Sequence, residues 1–308
     1  MSTFAGATVL VTGGTGSFGQ CMTEYLLRER VGQVRILANG EPRRVAMEQR
    51  FHDPRLRYEL ADIRYPQELR PDIFAGVDVL IHAAALKHVP YAEEHAWPYI
   101  HTNVIGSYNV LEAARVAAIP MVIGLSTDKG ASPSTVYGTT KFEMERLFVE
   151  RGHRCTRYGN IAGSSGSLIP RLMEQRKTGT VQLTDERMTR FFMRQEEAVA
   201  LVVRCATRTP AGTVLIPRPP SVRVVDVIAA VAPGCRIERI GVRGREKIHE
   251  SLVSVDEIGD TEEWGIDYIL GLSGATGIAR PYDSGTNPHF LSVEEIRAAL
   301  PEEDAVAA

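Results

Sequence analysis

The sequence has few cysteines and none at short spacing from another. Cys21, Cys155, Cys205 and Cys235 are the four cysteines among 308 residues, and no two of them form a C-x-x-C pair. This distribution argues against a zinc ribbon and against a disulfide framework, and it is typical of proteins in the reducing cytosol. We therefore expect a cytoplasmic protein.

Long apolar runs, a signal-like start and an excess of basic charge are also missing. No apolar run approaches the roughly 20 residues of a membrane-spanning helix, and the start MSTFAGATVLVTGG lacks a basic segment followed by a long apolar one. With 35 basic and 38 acidic side chains the formal charge is −3, which offers no basic surface to nucleic acid or to a membrane. The eight histidines include no pair at i, i+4 and no acidic partner at metal-ligand spacing, so we expect no metal site.

Short β-branched runs alternate with helical patterns in the first half of the chain. The runs at residues 7–12, 34–38, 77–82 and 121–126 are apolar on both sides of the pleat, and helical patterns cover 19–30, part of 91–117 and 136–151. Strands buried on both faces and separated by helices are typical of parallel sheets. The sequence therefore predicts an α/β fold with a doubly wound parallel Rossmann sheet.

The pattern changes after about Ile161, where glycine, serine and proline become denser and the elements shorter. We expect a smaller, irregular C-terminal part that binds the substrate. The predicted division is an NAD(P)-binding Rossmann domain at residues 1–164 and a mainly substrate-binding part at 165–308, with some segments returning to the sheet.

A glycine loop follows the first predicted strand and opens a helix. Gly13, Gly16 and Gly19 have G-x-x-G-x-x-G spacing, which suits a tight turn, a close backbone approach to a pyrophosphate and close helix–strand packing. The helix N-terminus then presents N–H groups to the phosphates. This loop predicts a dinucleotide site.

The residues at the end of the second predicted strand are compatible with either NAD or NADP as the cofactor. A dinucleotide fold expects an acid here to hold the ribose hydroxyls, and the chain reads Asn39-Gly40-Glu41 with Arg43 and Arg44 beyond. Glu41 would favour NAD, whereas the arginines would hold the 2′-phosphate of NADP. The sequence does not decide between them.

A tyrosine and a lysine are spaced to share one helix face. Tyr137 and Lys141 stand at i and i+4, within reach of one ligand. A nearby cation and a positive nicotinamide would lower the pKa of the phenol, so that Tyr137 could accept the proton of a sugar hydroxyl during hydride transfer.

The glycine loop followed by Y-x-x-x-K resembles the extended short-chain dehydrogenase/reductase superfamily. More narrowly, the chain resembles the inverting UDP-N-acetylglucosamine 4,6-dehydratases (5-epimerising), which take part in polysaccharide and deoxysugar biosynthesis. The matching stretches, between residues 11 and 287, are VTGGTGSFG, FHDPRLRY, IHAAALKHVPYAE, LSTDKG, RYGNIAGSSGS, LTDERMTRF, REKIHE and YDSGTN.

The resemblance implies roles for the residues that follow the strand at 121–126. Oxidation of C4 of the sugar makes the C5 proton acidic, after which a base removes it and an acid protonates the departing C6 hydroxyl. The resemblance implies Lys129 as the base and Asp128 as the acid, beside Thr127 and the oxidising pair Tyr137 and Lys141. Retaining relatives carry an acidic residue in place of Lys129. A lysine base needs a lowered pKa, which we expect burial, Lys141 and the oxidised cofactor to produce.

Further contacts are implied by resemblance alone. The cofactor contacts are Gly13, Thr15, Gly16, Ser17, Phe18, Gly19, Asn39, Arg43, Asp62, Ile63, Ala83, Ala84, Lys87, Tyr137, Lys141, Asn160 and Ile161. The substrate contacts are Lys87, Asn160, Ser165, Arg243, Arg245 and Glu246.

The chain departs from its relatives at three of these places. Ala38-Asn39 stands where they have Ser-Arg, Ser165 stands in place of an arginine that contacts substrate phosphate, and Arg245 replaces a glycine. The resemblance favours NADP, but the first departure makes NAD a competitor. We hypothesise that Arg245 supplies the cation lost at Ser165; an altered nucleotide or sugar would explain the same two changes.

The expected function is that of a nucleotide-sugar 4,6-dehydratase that acts on UDP-N-acetylglucosamine, inverts C5 and recycles a tightly bound NADP or NAD. Two alternatives stay open: a nucleotide-sugar 4-epimerase or ketoreductase on the same fold, and a non-catalytic dinucleotide-sensing protein. We expect a homo-oligomer, a dimer or larger, in which helices within 91–117 and 136–151 pair the subunits.

Overall fold

The computed structural model describes residues 4–164, 166–242 and 245–300. Their α-helices are α1 (Ser17–Arg28), α2 (Glu41–Arg50), α3 (Pro71–Phe74), α4 (Val89–Glu94), α5 (Ala96–Tyr99), α6 (Ser107–Val116), α7 (Val136–Glu150), α8 (Leu168–Arg176), α9 (Gln195–Arg208), α10 (Val224–Val231) and α11 (Val293–Ala298). Their strands are β1 (Thr8–Thr12), β2 (Gln33–Ala38), β3 (Leu56–Leu60), β4 (Val79–His82), β5 (Met121–Thr127), β6 (Arg154–Tyr158), β7 (Asn160–Ile161), β8 (Thr180–Leu183), β9 (Thr189–Met193), β10 (Val214–Pro217), β11 (Ser221–Arg223), β12 (Arg236–Arg239), β13 (Ser251–Val253), β14 (Thr261–Trp264), β15 (Asp267–Leu270) and β16 (Tyr282–Asp283). A π-helix covers Ile100–Gly106, and 3₁₀ turns cover Pro66–Glu68, Asp128–Gly130 and Val255–Asp260.

Nine strands form the central sheet, in the order β14-β15-β10-β6-β5-β4-β1-β2-β3. The strands from β3 to β10 are parallel, whereas β15 and β14 join antiparallel at the far edge. The order 3-2-1-4-5-6 within this sheet is that of a doubly wound fold. The predicted fold class is confirmed.

Apolar side chains on both faces of the strands bury the sheet between helices. In β1, Val9 and Val11 belong to a core cluster with Met22 of α1, whereas Leu10 between them belongs to a second cluster with Leu111 of α6. This alternation follows from the two-residue period of a strand. The predicted two-sided burial is therefore present.

The residues after β7 form a smaller lobe and also extend the sheet. Helices α8, α10 and α11 pack into a third core cluster, next to the small sheet β11-β9-β7. Strands β10, β14 and β15 return to the central sheet. In the described part of the chain, no helix is long and apolar enough to cross a membrane.

The order of the strands places a crevice at one edge of the sheet. The chain leaves β1 toward β2 on one side, and β4 pairs with β1 on the other, so the connections diverge above the carboxyl ends of β1 and β4. Ligands of doubly wound sheets bind at such a point. The segments after β1, β4, β5 and β6 meet there, and these segments carry most of the predicted site residues.

Candidate active site

The glycine loop after β1 lies so close to neighbouring backbone that side chains do not fit. Gly13 has φ of +64°, and a Cβ there would stand 2.7 Å from Cα of Ala84. A Cβ on Gly19 would stand 2.3 Å from the carbonyl oxygen of Gly14. Gly16 caps α1 in extended conformation without a side-chain cap, so backbone N–H groups of the first turn are the donors at this end of the helix. This cradle fits a pyrophosphate, as the spacing predicted.

A buried histidine joins this loop to α6. Nδ1 of His82 lies 2.8 Å from the Thr12 hydroxyl, and Nε2 lies 2.9 Å from the Ser107 hydroxyl. The Ala84 N–H donates to the same Thr12 hydroxyl at 3.3 Å. Complete burial, with a smaller effect of the Lys141 charge, lowers the pKa of His82 to about 3. The imidazole is therefore neutral and fixes the floor of the crevice.

This histidine predicts a loss of stability in acid. The unfolded chain protonates the imidazole near pH 6.5, but the folded protein does so only near pH 3. Between these values the unfolded state binds more protons, so the free energy of unfolding falls as the pH falls. From pH 7 to pH 5 we expect about 2 kcal/mol of loss from this group. Urea titrations at both pH values measure it: His82→Gln should lack this part of the loss, whereas His52→Gln, at an exposed position, should keep it.

The segment after β3 carries an ion-paired carboxylate, Asp62, which the sequence predicts as a cofactor contact. Asp62 accepts hydrogen bonds from Arg64 at 2.6 Å and from Asn39 at 3.2 Å. Burial opposes ionisation, but these bonds outweigh it and lower the pKa of Asp62 to about 2. Ile63 is buried beside Gly106. Asn39 and Asp62, both predicted from sequence, thus lie together.

The segment after β5 brings a carboxylic acid and a lysine together. Nζ of Lys129 lies 2.9 Å from Oδ1 of Asp128 and 3.5 Å from Oδ1 of Asn160. The Thr127 hydroxyl donates to the same Asp128 oxygen at 2.9 Å. Asp128 is fully buried, and its Oδ2 has no hydrogen-bond partner in the described residues. A free acceptor oxygen thus lies at the centre of the site.

Helix α7 places the tyrosine and the lysine of the Y-x-x-x-K motif beside this segment. A Cβ on Gly138 would stand 2.3 Å from the Lys129 carbonyl oxygen, so only glycine allows this approach. The Thr127 side chain interacts with the Tyr137 phenol and opposes the effect of burial on its pKa. Lys141 is buried and donates to the Leu125 carbonyl at 2.5 Å, and burial lowers its pKa to about 8.

Two predicted pKa directions are wrong. Burial raises the pKa of Tyr137 to about 12, and the cation that opposes this most is Lys129. For Lys129, burial favours the neutral amine, but the charges of Asp128 and Glu250 outweigh it and raise the pKa. The prediction relied on burial, Lys141 and the cofactor, whereas in the folded protein the carboxylates of Asp128 and Glu250 determine the pKa of Lys129. Lys129 is therefore an ammonium ion in this arrangement.

Sequence reasoning missed two charged residues of this centre. Oε1 of Glu250 lies 3.4 Å from Nζ of Lys129 and 3.9 Å from Nε of Arg190. Glu250 ends the REKIHE stretch and Arg190 lies within MTRF, so both were inside matching motifs. No spacing pattern distinguished them from surface charges.

Most of the remaining predicted residues have contacts in the structure, and two of them lie outside the described residues. Asn160 and Ile161 form β7, and Glu246 approaches Arg190 at 3.4 Å. Lys87 is exposed, but protein atoms near its ammonium group and the charge of Arg43 lower its pKa. The Arg245 carbonyl accepts from Ser134 at 3.0 Å. Ser165 and Arg243 lie outside the described residues.

Thr15 is buried, whereas Ser17, Phe18, Ala83 and Ala84 are partly buried around the glycine loop. Among the described residues, no group of three or more histidine, cysteine, aspartate or glutamate side chains could hold a metal ion.

Known proteins share this sequence and fold over most of the chain. Residues 9–270 match the family model of polysaccharide biosynthesis proteins. The chain is 36% identical over 277 residues to UDP-N-acetylglucosamine 4,6-dehydratase (inverting) from Campylobacter jejuni, which covers 86% of this chain and 83% of that protein. It is 33% identical over 290 residues to UDP-glucose 4-epimerase from Rickettsia bellii, covering 88% of this chain and 84% of that protein. The crystal structure of Pen from Bacillus thuringiensis superimposes with a TM-score of 0.90 at 28% identity, covering 96% of this chain and 97% of that one.

Proposed function

The chain belongs to the family of polysaccharide biosynthesis proteins, within the extended short-chain dehydrogenases/reductases, and we propose that it is a nucleotide-sugar 4,6-dehydratase that acts on UDP-N-acetylglucosamine and inverts C5. The observation that carries the proposal is the Asp128–Lys129 pair, held at 2.9 Å, with Tyr137 close enough for the charges of both residues to affect its pKa. An oxidoreductase that only interconverts a hydroxyl and a ketone needs Tyr137, but it does not need an additional acid and base. The identity to the inverting dehydratase of Campylobacter jejuni supports the same substrate.

The side chains divide the proton transfers of a dehydration between them. Tyr137 accepts the C4 hydroxyl proton as C4 becomes a ketone, and Lys129 then removes the acidified C5 proton. Asp128 protonates the C6 hydroxyl, which leaves as water. A nicotinamide cofactor, when bound, would accept the C4 hydride and return it to C6 while C5 takes up a proton on the opposite face, so the reaction would have no net oxidation.

The Asp128–Lys129 pair can supply its base and its acid in one step. Transfer of one proton across the 2.9 Å from Nζ of Lys129 to Oδ1 of Asp128 converts the ion pair into a neutral amine and a carboxylic acid. The amine is the form that removes the C5 proton, and the acid is the form that protonates the C6 hydroxyl. Burial favours this transfer, because it raises the pKa of Asp128 and favours the neutral amine of Lys129, whereas the attraction of Lys129 to the Asp128 and Glu250 charges opposes it.

The Thr127 hydroxyl connects the residue that gains a proton with the residue that loses one. Over one turnover, Tyr137 gains the C4 hydroxyl proton and Asp128 gives a proton to water. Thr127 donates to Asp128 at 2.9 Å and interacts with the Tyr137 phenol, whose pKa it lowers. The proton can therefore return from Tyr137 through Thr127 to Asp128.

We propose NADP as the cofactor. The residues proposed to bind it are those predicted from sequence, and the close backbone at Gly13 and Gly19 suits its pyrophosphate. Asp62 is already paired with Arg64 and hydrogen bonded to Asn39, whereas Arg43 is exposed near the start of α2. Arg43 would then be the cation for the ribose 2′-phosphate. Titration with both cofactors tests the choice, and tighter binding of NAD would contradict it.

We propose that Lys87, Asn160, Ser165, Arg243, Arg245 and Glu246 contact the nucleotide sugar. Asn160 already reaches the Lys129 ammonium, and Glu246 approaches Arg190, which support a substrate position between the sheet and the smaller lobe. In this division, residues 1–164 bind mainly the cofactor and residues 165–308 mainly the substrate. The compensation of Ser165 by Arg245 remains part of the proposal, and an unchanged substrate KM in Arg245→Gly would contradict it.

We propose that the protein is a homo-oligomer, a dimer or larger, in the cytoplasm. Large apolar side chains are exposed along the helices between residues 91 and 116; they are Tyr91, Trp97, Ile100, Ile105, Tyr108 and Val116. Pairing with a second copy would cover them. Sedimentation equilibrium measures the mass, and a monomer at micromolar concentration would contradict the proposal. The four cysteines are free in the structure, which supports a reducing compartment.

Incubation with UDP-N-acetylglucosamine in D₂O tests the function. We expect loss of one water without net change of the cofactor, and NMR should show deuterium at C5 with inverted configuration. A retained C5 configuration would contradict inversion alone. An unchanged mass would indicate an epimerase, consumption of NADPH would indicate a ketoreductase, and tight cofactor binding without product from UDP- and TDP-sugars would indicate a sensing protein.

A further inference from the structure

Glu250 reaches the catalytic centre from the C-terminal part of the chain, directly before β13. Its side chain is only 4% exposed, and Oε1 lies 3.4 Å from Nζ of Lys129. Its other oxygen, Oε2, is buried and has no hydrogen-bond partner in the described part of the chain. Glu250 is thus a buried carboxylate at the reacting amine, not a surface ion pair.

The backbone around Glu250 is fixed by the neighbouring strands. Its N–H donates to the Ser284 hydroxyl at 2.9 Å, and the Ser284 N–H donates to its carbonyl oxygen at 2.8 Å. The Ser284 hydroxyl lies 2.7 Å from that of Thr189, which also meets Nδ1 of His249 at 2.8 Å. These bonds hold the direction in which the Glu250 side chain leaves the backbone.

The charges that face Glu250 come from three segments. They are Asp128 and Lys129 after β5, Arg190 on β9 and Lys247 in its own segment. Burial opposes ionisation of Glu250, but the three cations outweigh it and lower its pKa. The resulting negative charge raises the pKa of both Asp128 and Lys129. Tyr137 is a further titratable group on which the charges of Asp128 and Lys129 act.

We propose, on the basis of the dehydratase function above, that Glu250 is a positioning residue that acts through Lys129. It holds the amine against Asp128, and its negative charge keeps one proton in the Asp128–Lys129 pair. With one proton, the pair can form the neutral amine and the carboxylic acid that the elimination uses together. With no proton, the pair lacks the acid that protonates the C6 hydroxyl. With two protons, the pair lacks the base that removes the C5 proton.

The pH dependence of water loss tests this role. Both limbs of the bell-shaped kcat profile then belong to the Asp128–Lys129 pair. Glu250→Gln removes one negative charge close to the pair, so both limbs should move to lower pH by about 1–3 units. Glu250→Asp keeps the charge but withdraws it by one methylene, and should give a smaller shift in the same direction. Lys247→Met removes a positive charge and should shift the limbs to higher pH.

The control is Glu263→Gln, because Glu263 pairs with Arg218 and is 65% exposed. Both limbs of the kcat profile of this variant should coincide with those of the parent. A lower kcat in Glu250→Gln with unmoved limbs would show a purely structural role and would overturn the proposal. Should Glu250→Gln not fold, the same judgement is made on Glu250→Asp. Failure of the dehydratase function itself would be visible first, as the absence of water loss in the parent.

Discussion

Lys129→Met is expected to lower the rate of water loss by about 10²–10⁴-fold, the contribution of a positioned general base, without preventing the oxidation of C4. Methionine keeps most of the length of lysine but cannot accept the C5 proton. Tyr137 and Lys141 lie on another element, α7, and are left intact. The sugar should therefore stop as the 4-ketone, with its hydride retained on the cofactor.

Stopped-flow absorbance at the reduced nicotinamide band separates the two steps. With the parent we expect only a transient rise, whereas Lys129→Met should show a lasting one with no loss of water by mass spectrometry. Lys177→Met serves as the matched control, because Lys177 pairs with Glu174 on the surface. Water loss at the parent rate in Lys129→Met would show that another group is the base.

Burial on both faces made four inner strands predictable, whereas the parallel strands β3, β6 and β10 were not recognised. The predicted strands at 7–12, 34–38, 77–82 and 121–126 correspond to β1, β2, β4 and β5. Two of the missed strands carry charges: Arg57 and Glu59 in β3, and Arg157 in β6. β3 is an edge strand, where Arg57 is partly exposed and pairs with the buried Glu59. In β6 the charge is buried with remote partners, which no local pattern reveals.

The helical pattern within 91–117 is broken in the structure for a local reason. Pro98 lies inside the short helix α5, and a π-helix then covers Ile100–Gly106 before α6 begins. Gly106 packs so closely that a Cβ would stand 2.8 Å from the Ile63 side chain. Hydrophobic periodicity predicts a helix here. It does not predict that part of this helix is a π-helix, which ends at the closely packed Gly106.

Motif residues close together in sequence could be predicted, whereas their electrostatics could not. Thr127, Asp128 and Lys129 are consecutive, and Tyr137 and Lys141 share a helix face. Glu250 is brought to Lys129 only by the fold of the smaller lobe. The raised pKa of Lys129 depends on that long-range contact, and so it could not be inferred from the residues next to it.

Arg157→Met is expected to cost about 3–5 kcal/mol of the free energy of unfolding, as does removal of one partner of a buried ion pair. Arg157 is fully buried and donates to Glu145 at 2.5 Å and to Glu257 at 2.7 Å. It also donates to the Leu252 carbonyl at 2.9 Å. It thus joins β6 and α7 to the lobe that carries Glu250. Without it, both carboxylates lose their arginine partner.

The loss in the free energy of unfolding of Arg157→Met should become larger as the pH rises. Without Arg157, burial would raise the folded-state pKa of Glu257 above that of the unfolded chain, so the variant loses stability as the pH rises. Urea titrations should therefore show a larger deficit at pH 8 than at pH 5. Arg157→Met combined with Glu145→Gln and Glu257→Gln should recover part of the loss, because no buried charge then lacks a partner.

Arg154→Met is the matched control, since Arg154 lies in the same strand and is partly exposed, and its Nε donates to the Thr209 carbonyl. We expect it to cost less than Arg157→Met and to show no comparable rise of the deficit with pH. Equal costs for the two variants would mean that packing of the arginine stem, not its charge, stabilises β6. A deficit in Arg157→Met that is the same at pH 5 and pH 8 would lead to the same conclusion. An uncompensated carboxylate would make the difference in stability between the variant and the parent change with pH.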